Sequence, residues 1–121
     1  ILHAHSPYCT TLACLERPIP AFHYMVAMAG GDSIRCAPYA TFGTQALSDA
    51  AIDALRDRSA TLLAHHGMIC YAADLDHVLN LAIEVETLAR IYLQALPVAE
   101  PPVLPAAEMA EVLRRFKDYK A

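Results

Sequence analysis

Thr61-Leu62-Leu63-Ala64-His65-His66-Gly67-Met68-Ile69-Cys70-Tyr71 is the stretch whose reading decides the fold. Two short apolar runs, Thr61 to Ala64 and Met68 to Tyr71, flank a polar corner that ends on glycine. Such runs bounded by a turn signal read as strands, and Gly67 marks a place where the backbone turns or approaches something closely. If both histidines lie on extended backbone they face opposite sides, so only one of them can reach a given site. We take that one to be His66.

The other half of the pattern is His3-Ala4-His5. Alternate residues of a strand point to one face with Cα atoms roughly 6.5 Å apart, so His3 and His5 can converge on one ion while Ala4 faces away. An isolated HxH is more often a pair of hydrogen-bonded histidines than a ligand pair. With His66 as a third imidazole, the set describes a catalytic metal site of the zinc type, three protein ligands around an open position.

Composition limits the rest. A chain of 121 residues is one domain at most, and 56% hydrophobic against 18% charged residues is apolar for a small free-standing domain, so part of its surface is expected to face other chains. A net charge of −4 without a basic patch argues against nucleic acid and anionic membrane as partners. No apolar run reaches the roughly 18 residues that a membrane helix needs, and the first residues carry no signal-peptide pattern. Cys9, Cys14, Cys36 and Cys70 show no CxxC or disulfide-framework spacing; they read as small buried hydrophobes in a reducing cytoplasm. Ile1-Leu2 runs straight into the histidines without a turn signal, so the chain is expected to be a fragment of a longer protein.

Along the chain, Ile1 to His5 reads as a buried strand, and Ser6-Pro7 as the N-cap and first position of a helix through Leu15. Arg17-Pro18 and Ile19-Pro20 keep Glu16 to Pro20 in a loop. Ala21 to Ala29 reads as a second short helix closed by Gly30-Gly31, with His23 a partly buried polar contact and Tyr24 a packing residue by sequence alone. Gly30-Gly31-Asp32-Ser33 lacks the spacing of a phosphate loop and serves as a turn into a strand from Ile34 to Ala37. Tyr39 to Gly43 is a loop with Phe42 as an exposed contact residue. Ser48 is expected to cap a helix through about Arg56. Asp74 begins the longest helix, whose Leu75, Val78, Leu79, Ala82, Val85, Ala89 and Leu93 form one apolar stripe, with Glu86 and Arg90 as an i,i+4 pair. Pro97 stops it, and a proline-rich linker to Pro105 leads to a last helix from Ala107 to about Tyr119. The basic residues near its end, Arg114, Arg115, Lys117 and Lys120, read as a solvated face.

Several stretches together carry a resemblance. They are His3-Ala-His5-Ser-Pro, Ile19-Pro-Ala-Phe-His-Tyr24, Gly30-Gly-Asp-Ser-Ile-Arg-Cys-Ala-Pro-Tyr-Ala-Thr-Phe42-Gly-Thr, Ala60-Thr-Leu-Leu-Ala-His-His66-Gly-Met-Ile and Ile83-Glu-Val-Glu-Thr-Leu-Ala. In one register from Ile1 to near Tyr119, the chain resembles the class II aldolase and adducin-type family. The resemblance implies an α/β fold, three-layer α/β/α with a mostly antiparallel central sheet, of which residues 1–121 form the C-terminal portion of a single domain. It further implies a cytoplasmic homotetramer with active sites between subunits. His3, His5 and His66 would hold one Zn2+, or another divalent metal, per subunit. Tyr24 falls on the tyrosine that the family supplies from a neighbouring subunit to protonate the aldehyde oxygen. Phe42 matches an aromatic on the aldehyde side of the substrate site, and Phe116 and the catalytic-tail Tyr119 match residues that close over it.

The implied activity is that of a lyase of L-fucose degradation, cleaving the sugar phosphate L-fuculose 1-phosphate to dihydroxyacetone phosphate and L-lactaldehyde. Another family chemistry, such as a pentulose-phosphate 4-epimerase or a related sugar-phosphate aldolase, is the nearest alternative. Adducin-like members use the fold for protein association and need no metal ligands. The family's proton-shuttling glutamate and phosphate-binding loops precede the HxH strand. Glu16, Glu84 and Glu86 lie in other segments, so no catalytic carboxylate is assigned among them.

Overall fold

The apolar run around Leu62 forms an inner strand of a four-stranded sheet in a computed structural model that describes residues 1–120, with side chains through Asp118. Strand β1 (Leu2–Ala4), β2 (Arg35–Ala37), β3 (Ala60–Leu63) and β4 (Gly67–Cys70) lie in the spatial order β1-β4-β3-β2. β4 pairs antiparallel with β1, His3 opposite Ile69, and with β3, Leu62 opposite Met68. β2 pairs with β3 in parallel, because the chain returns between them through helix α2 (Gln45–Ala54), the crossover that a parallel pair requires. The sheet is therefore mixed, with its antiparallel joints in the majority.

All residues of β3 are buried, as expected of a strand covered on both faces. Leu62, Met68 and Cys70 point to one face, where α1 (Pro7–Cys14) and α3 (Leu75–Ala95) contribute Cys9, Leu12, Val78, Leu81, Val85 and Leu88 to the main core. Leu63 and Ile69 point to the other, against Ala51 and Ala54 of α2. These are the three expected layers. Helix α4 (Ala106–Lys120) buries Met109 in the main core and packs beside a 3-10 turn at Tyr24–Ala29.

Local chemistry moved several boundaries. β1 is not a buried strand but an edge strand among the described residues, paired on one side only, so His3 is exposed. Residues 21–23 do not join a helix. His23 is extended, and its ring Nδ1 accepts the Met25 N–H at 3.0 Å, so it caps the 3-10 turn that Gly30 closes at φ 98°. The α2 cap is Thr44 rather than Ser48: directly after Gly43, at φ 76°, the Thr44 hydroxyl is the first side chain able to accept the Leu47 N–H. Asp74 caps α3 as expected, accepting from the His77 N–H at 2.8 Å. Glu86 does not pair with Arg90; its carboxylate accepts from the Tyr8 and Cys9 N–H groups of α1, where Ser6 provides no side-chain cap. The four cysteines are free, but only Cys9 and Cys70 are buried, and Cys14 is exposed. Among the described residues no helix is long and apolar enough to cross a membrane.

Candidate metal centre

β1 carries His3, and His5 follows directly after its last residue, with the two ring centroids 5.0 Å apart. The third ring comes from the β3–β4 turn, where the His66 N–H donates to Leu63 O at 3.0 Å and closes a tight reversal. Within it His65 takes φ 57°, the left-handed region, and its N–H donates to Ala13 O at 3.0 Å. The two histidines diverge because of this turn and not because both are extended. His66 ends 4.9 Å, centroid to centroid, from both His3 and His5.

That convergence depends on Gly67. A Cβ there would stand closer to the Ala4 carbonyl oxygen than the 3.0 Å that real Cβ atoms keep, and 3.0 Å from His5 Cδ2. Only glycine lets the start of β4 lie this close to the end of β1.

The electrostatics suit a cation. His3 Nδ1 lies 2.8 Å from Met68 O, and since a carbonyl only accepts, Nδ1 carries the proton and Nε2 keeps its lone pair. Burial first, then the neighbouring His3 and His5 rings, lower the His66 pKa below its ordinary value, so its neutral, ligating form is favoured. One ligand nitrogen from each of the three residues lies within 4.8 Å of the others. A borderline divalent ion such as zinc fits this all-imidazole set, which leaves a coordination position open.

Beside the cluster lies a cleft of about 320 Å³ lined by His5, Tyr39, Ala40, Phe42, His65 and His66. Phe42 is 79% exposed on its wall, as its loop position suggested. Sequence reasoning set His65 and Glu16 aside and read Tyr39 only as part of a loop; Tyr39 and His65 meet edge to face at 5.8 Å, and Glu16 Oε2 is 3.4 Å from His65 Nε2. The signal available was the neighbourhood of Phe42 and His66 in the chain; their pairing needed the tertiary fold.

Tyr24 and Phe116 are brought together elsewhere. Their rings lie 6.4 Å apart in a separate groove with Met25, Arg114, Arg115 and Asp118, which shares no residue with the histidine cleft. Tyr24 is half exposed and stacks on His23 at 5.0 Å. Arg114 and Arg115 lie on an exposed face, as expected, and there both bind Glu111, at 2.6 and 2.9 Å, and hold its carboxyl down to about 2. The Tyr119 side chain lies outside the described residues.

Comparison with known proteins agrees with this architecture. Residues 1–93 match the family described as Class II Aldolase and Adducin N-terminal domain. A 5-methylthioribulose-1-phosphate/5-deoxyribulose-1-phosphate aldolase of Rhodospirillum rubrum is 57% identical over 98% of this chain and 54% of its own length. An L-fuculose phosphate aldolase of Escherichia coli O6:H1 is 54% identical over 98% of this chain and 56% of its own. A solved L-fuculose 1-phosphate aldolase superposes with a TM-score of 0.91 at 47% identity, covering 95% of this chain and 54% of that one. The chain thus spans about half the length of the curated relatives it matches. On the residue match, the sheet order and the shared architecture, the chain belongs to the class II aldolase and adducin family.

Proposed function

We propose that His3, His5 and His66 bind one zinc ion, and that the protein containing this chain cleaves L-fuculose 1-phosphate to dihydroxyacetone phosphate and L-lactaldehyde. The observation that carries the proposal is the convergence of three imidazole nitrogens within 4.8 Å beside an open cleft. An adducin-like association domain has no use for that arrangement. Bound zinc would act as a Lewis acid toward the oxygens of a 1,2-hydroxyketone.

Three of the chain's own groups take further parts. His3 holds its Nε2 lone pair toward the centre through its bond to Met68 O. Phe42 offers an apolar wall that suits the methyl end of an aldehyde. In retro-aldol cleavage the C3–C4 bond breaks and its electron pair stays on C3, which then takes up a proton to give dihydroxyacetone phosphate; that C3 proton is assigned to no group of this chain. The C4 hydroxyl loses its proton as it becomes the aldehyde. Tyr24 is the group we assign to that proton, taking it in cleavage and returning it in condensation. The groove it shares with Phe116 stands apart from the cleft of its own chain, which supports delivery to the cleft of another copy. The working protein is accordingly proposed to be a homotetramer, and its four free thiols support a cytoplasmic location.

A second reading is favoured by the Rhodospirillum rubrum relative: cleavage of 5-deoxyribulose 1-phosphate, which releases the same dihydroxyacetone phosphate with a shorter aldehyde. Zinc-loaded full-length protein offered each substrate separately, with dihydroxyacetone phosphate release coupled to a dehydrogenase, decides between them. A higher kcat/KM for L-fuculose 1-phosphate is expected. The reverse preference replaces the first reading by the second, and no release from either removes both.

A further inference from the structure

We infer that Glu86 is a positioning residue for the three-histidine centre: it clamps the start of α1 and thereby holds His5 against His66. The inference rests on the metal site proposed above. Helix α1 begins two residues after His5, and its first N–H groups need acceptors from outside the helix. Ser6, in the N-cap position, makes no side-chain cap bond. Glu86 comes from the middle of α3, 77 and 78 positions away, and serves two of those groups. Its Oε1 accepts from the Cys9 N–H at 2.9 Å and its Oε2 from the Tyr8 N–H at 3.0 Å. A carboxylate is favoured at a helix N-terminus, yet here it belongs to a different helix, so it fastens α1 in place as well as satisfying it. Arg90, one turn further along α3, lies 5.8 Å from the Tyr8 ring centroid and grips the same point.

The opposite end of α1 holds the other ligand segment. Ala13 O accepts the His65 N–H at 3.0 Å, which fixes the turn carrying His66. One short helix therefore joins the residue that follows His5 to the turn that presents His66. Among the described residues β1 has three paired residues and one neighbouring strand. The direction in which the chain leaves His5 is thus set by α1, and α1 is set by Glu86.

Zinc affinity of the full-length protein, measured by competition with a chromophoric chelator, tests this without recourse to activity. Residues that orient ligands from behind typically contribute 10–100-fold to metal affinity, so Glu86→Ala is expected to weaken zinc binding about tenfold. Glu86→Gln, which keeps one oxygen acceptor, should fall between it and the unaltered protein, and it carries the test alone if Glu86→Ala does not fold. Leu88→Ala, a buried truncation on the same helix, should lower the thermal midpoint and leave zinc affinity unchanged. Zinc affinity within twofold of the unaltered protein in the Glu86 variants overturns the inference. So does an equal loss in Leu88→Ala, which would make the effect one of general stability. His66→Ala is measured in parallel: if zinc is still held there, the metal-site reading itself fails, whatever the Glu86 variants do.

Discussion

Gly67→Ala changes the least chemistry for the greatest geometric effect. The substitution adds one methyl group, removes no ligand, and needs no left-handed backbone. The added Cβ would fall inside the 3.0 Å limit from the Ala4 carbonyl oxygen and at 3.0 Å from His5 Cδ2. The first of these is backbone, which cannot swing aside as a side-chain end can, so β1 has to retreat from β4. A retreat of roughly half an ångström to 1 Å is enough to stretch the Ala4–Met68 pairing and carry His3 and His5 away from His66 together. Overpacking of this kind costs about 1–3 kcal/mol. At about 4 °C per kcal/mol for a chain of this size, the thermal midpoint should fall by roughly 4–12 °C. Because ligand placement fails at the same time, zinc content after dialysis should fall well below that of the unaltered protein. Differential scanning calorimetry with and without zinc, alongside metal analysis, reads both quantities. An unchanged midpoint together with full zinc content would show that β1 and β4 do not approach as described, and the account of the centre's assembly would be wrong.

Four further outcomes are expected. His66→Ala should leave the dialysed protein with little zinc, since a three-imidazole site that loses one ligand loses most of its affinity; retention of stoichiometric zinc would move the site elsewhere. Tyr24→Phe should lower turnover about 10²–10⁴-fold with zinc content intact, and undiminished turnover would leave Tyr24 a packing residue. In the metal-free protein the unfolded chain binds a proton more readily than folded His66, whose pKa is held down by burial and then by His3 and His5. Stability should therefore drop as pH falls below about 6.5, less steeply in His66→Asn; equal slopes in urea titrations would count against the shift. Burial pushes the Cys9 thiol up to about 12, so at pH 8 iodoacetamide should modify exposed Cys14 and reach Cys9 only after denaturation, as read by peptide mass mapping.

Much of this protein was legible in the residues alone. Strands β3 and β4, the helix that Asp74 caps and Pro97 follows, and the spacing of His3 and His5 all arise from periodicity and local backbone preference, which act over a few residues and leave their mark in order. The pairing of His66 with that HxH was left open by the residues alone, and the family resemblance carried it, because a histidine beside Gly67 is as readily a hydrogen-bonded residue as a ligand. Other features required contacts between distant segments. The cap at Thr44, the placing of His65 through Ala13, the contacts of Tyr39 and Glu16 with His65, and the separation of Tyr24 from the histidine cleft come from which segments meet in the fold. Glu86 shows the limit most directly. In the helix it reads as half of an i,i+4 pair with Arg90, a contact worth a few tenths of a kcal/mol. In the folded chain, the free N–H groups at the start of α1 compete for the same carboxylate and win, because two charge-assisted bonds to a helix N-terminus return more than an exposed ion pair. Local pattern determined where the helices and strands run; the obligation to satisfy polar groups brought together by packing decided what each side chain does there.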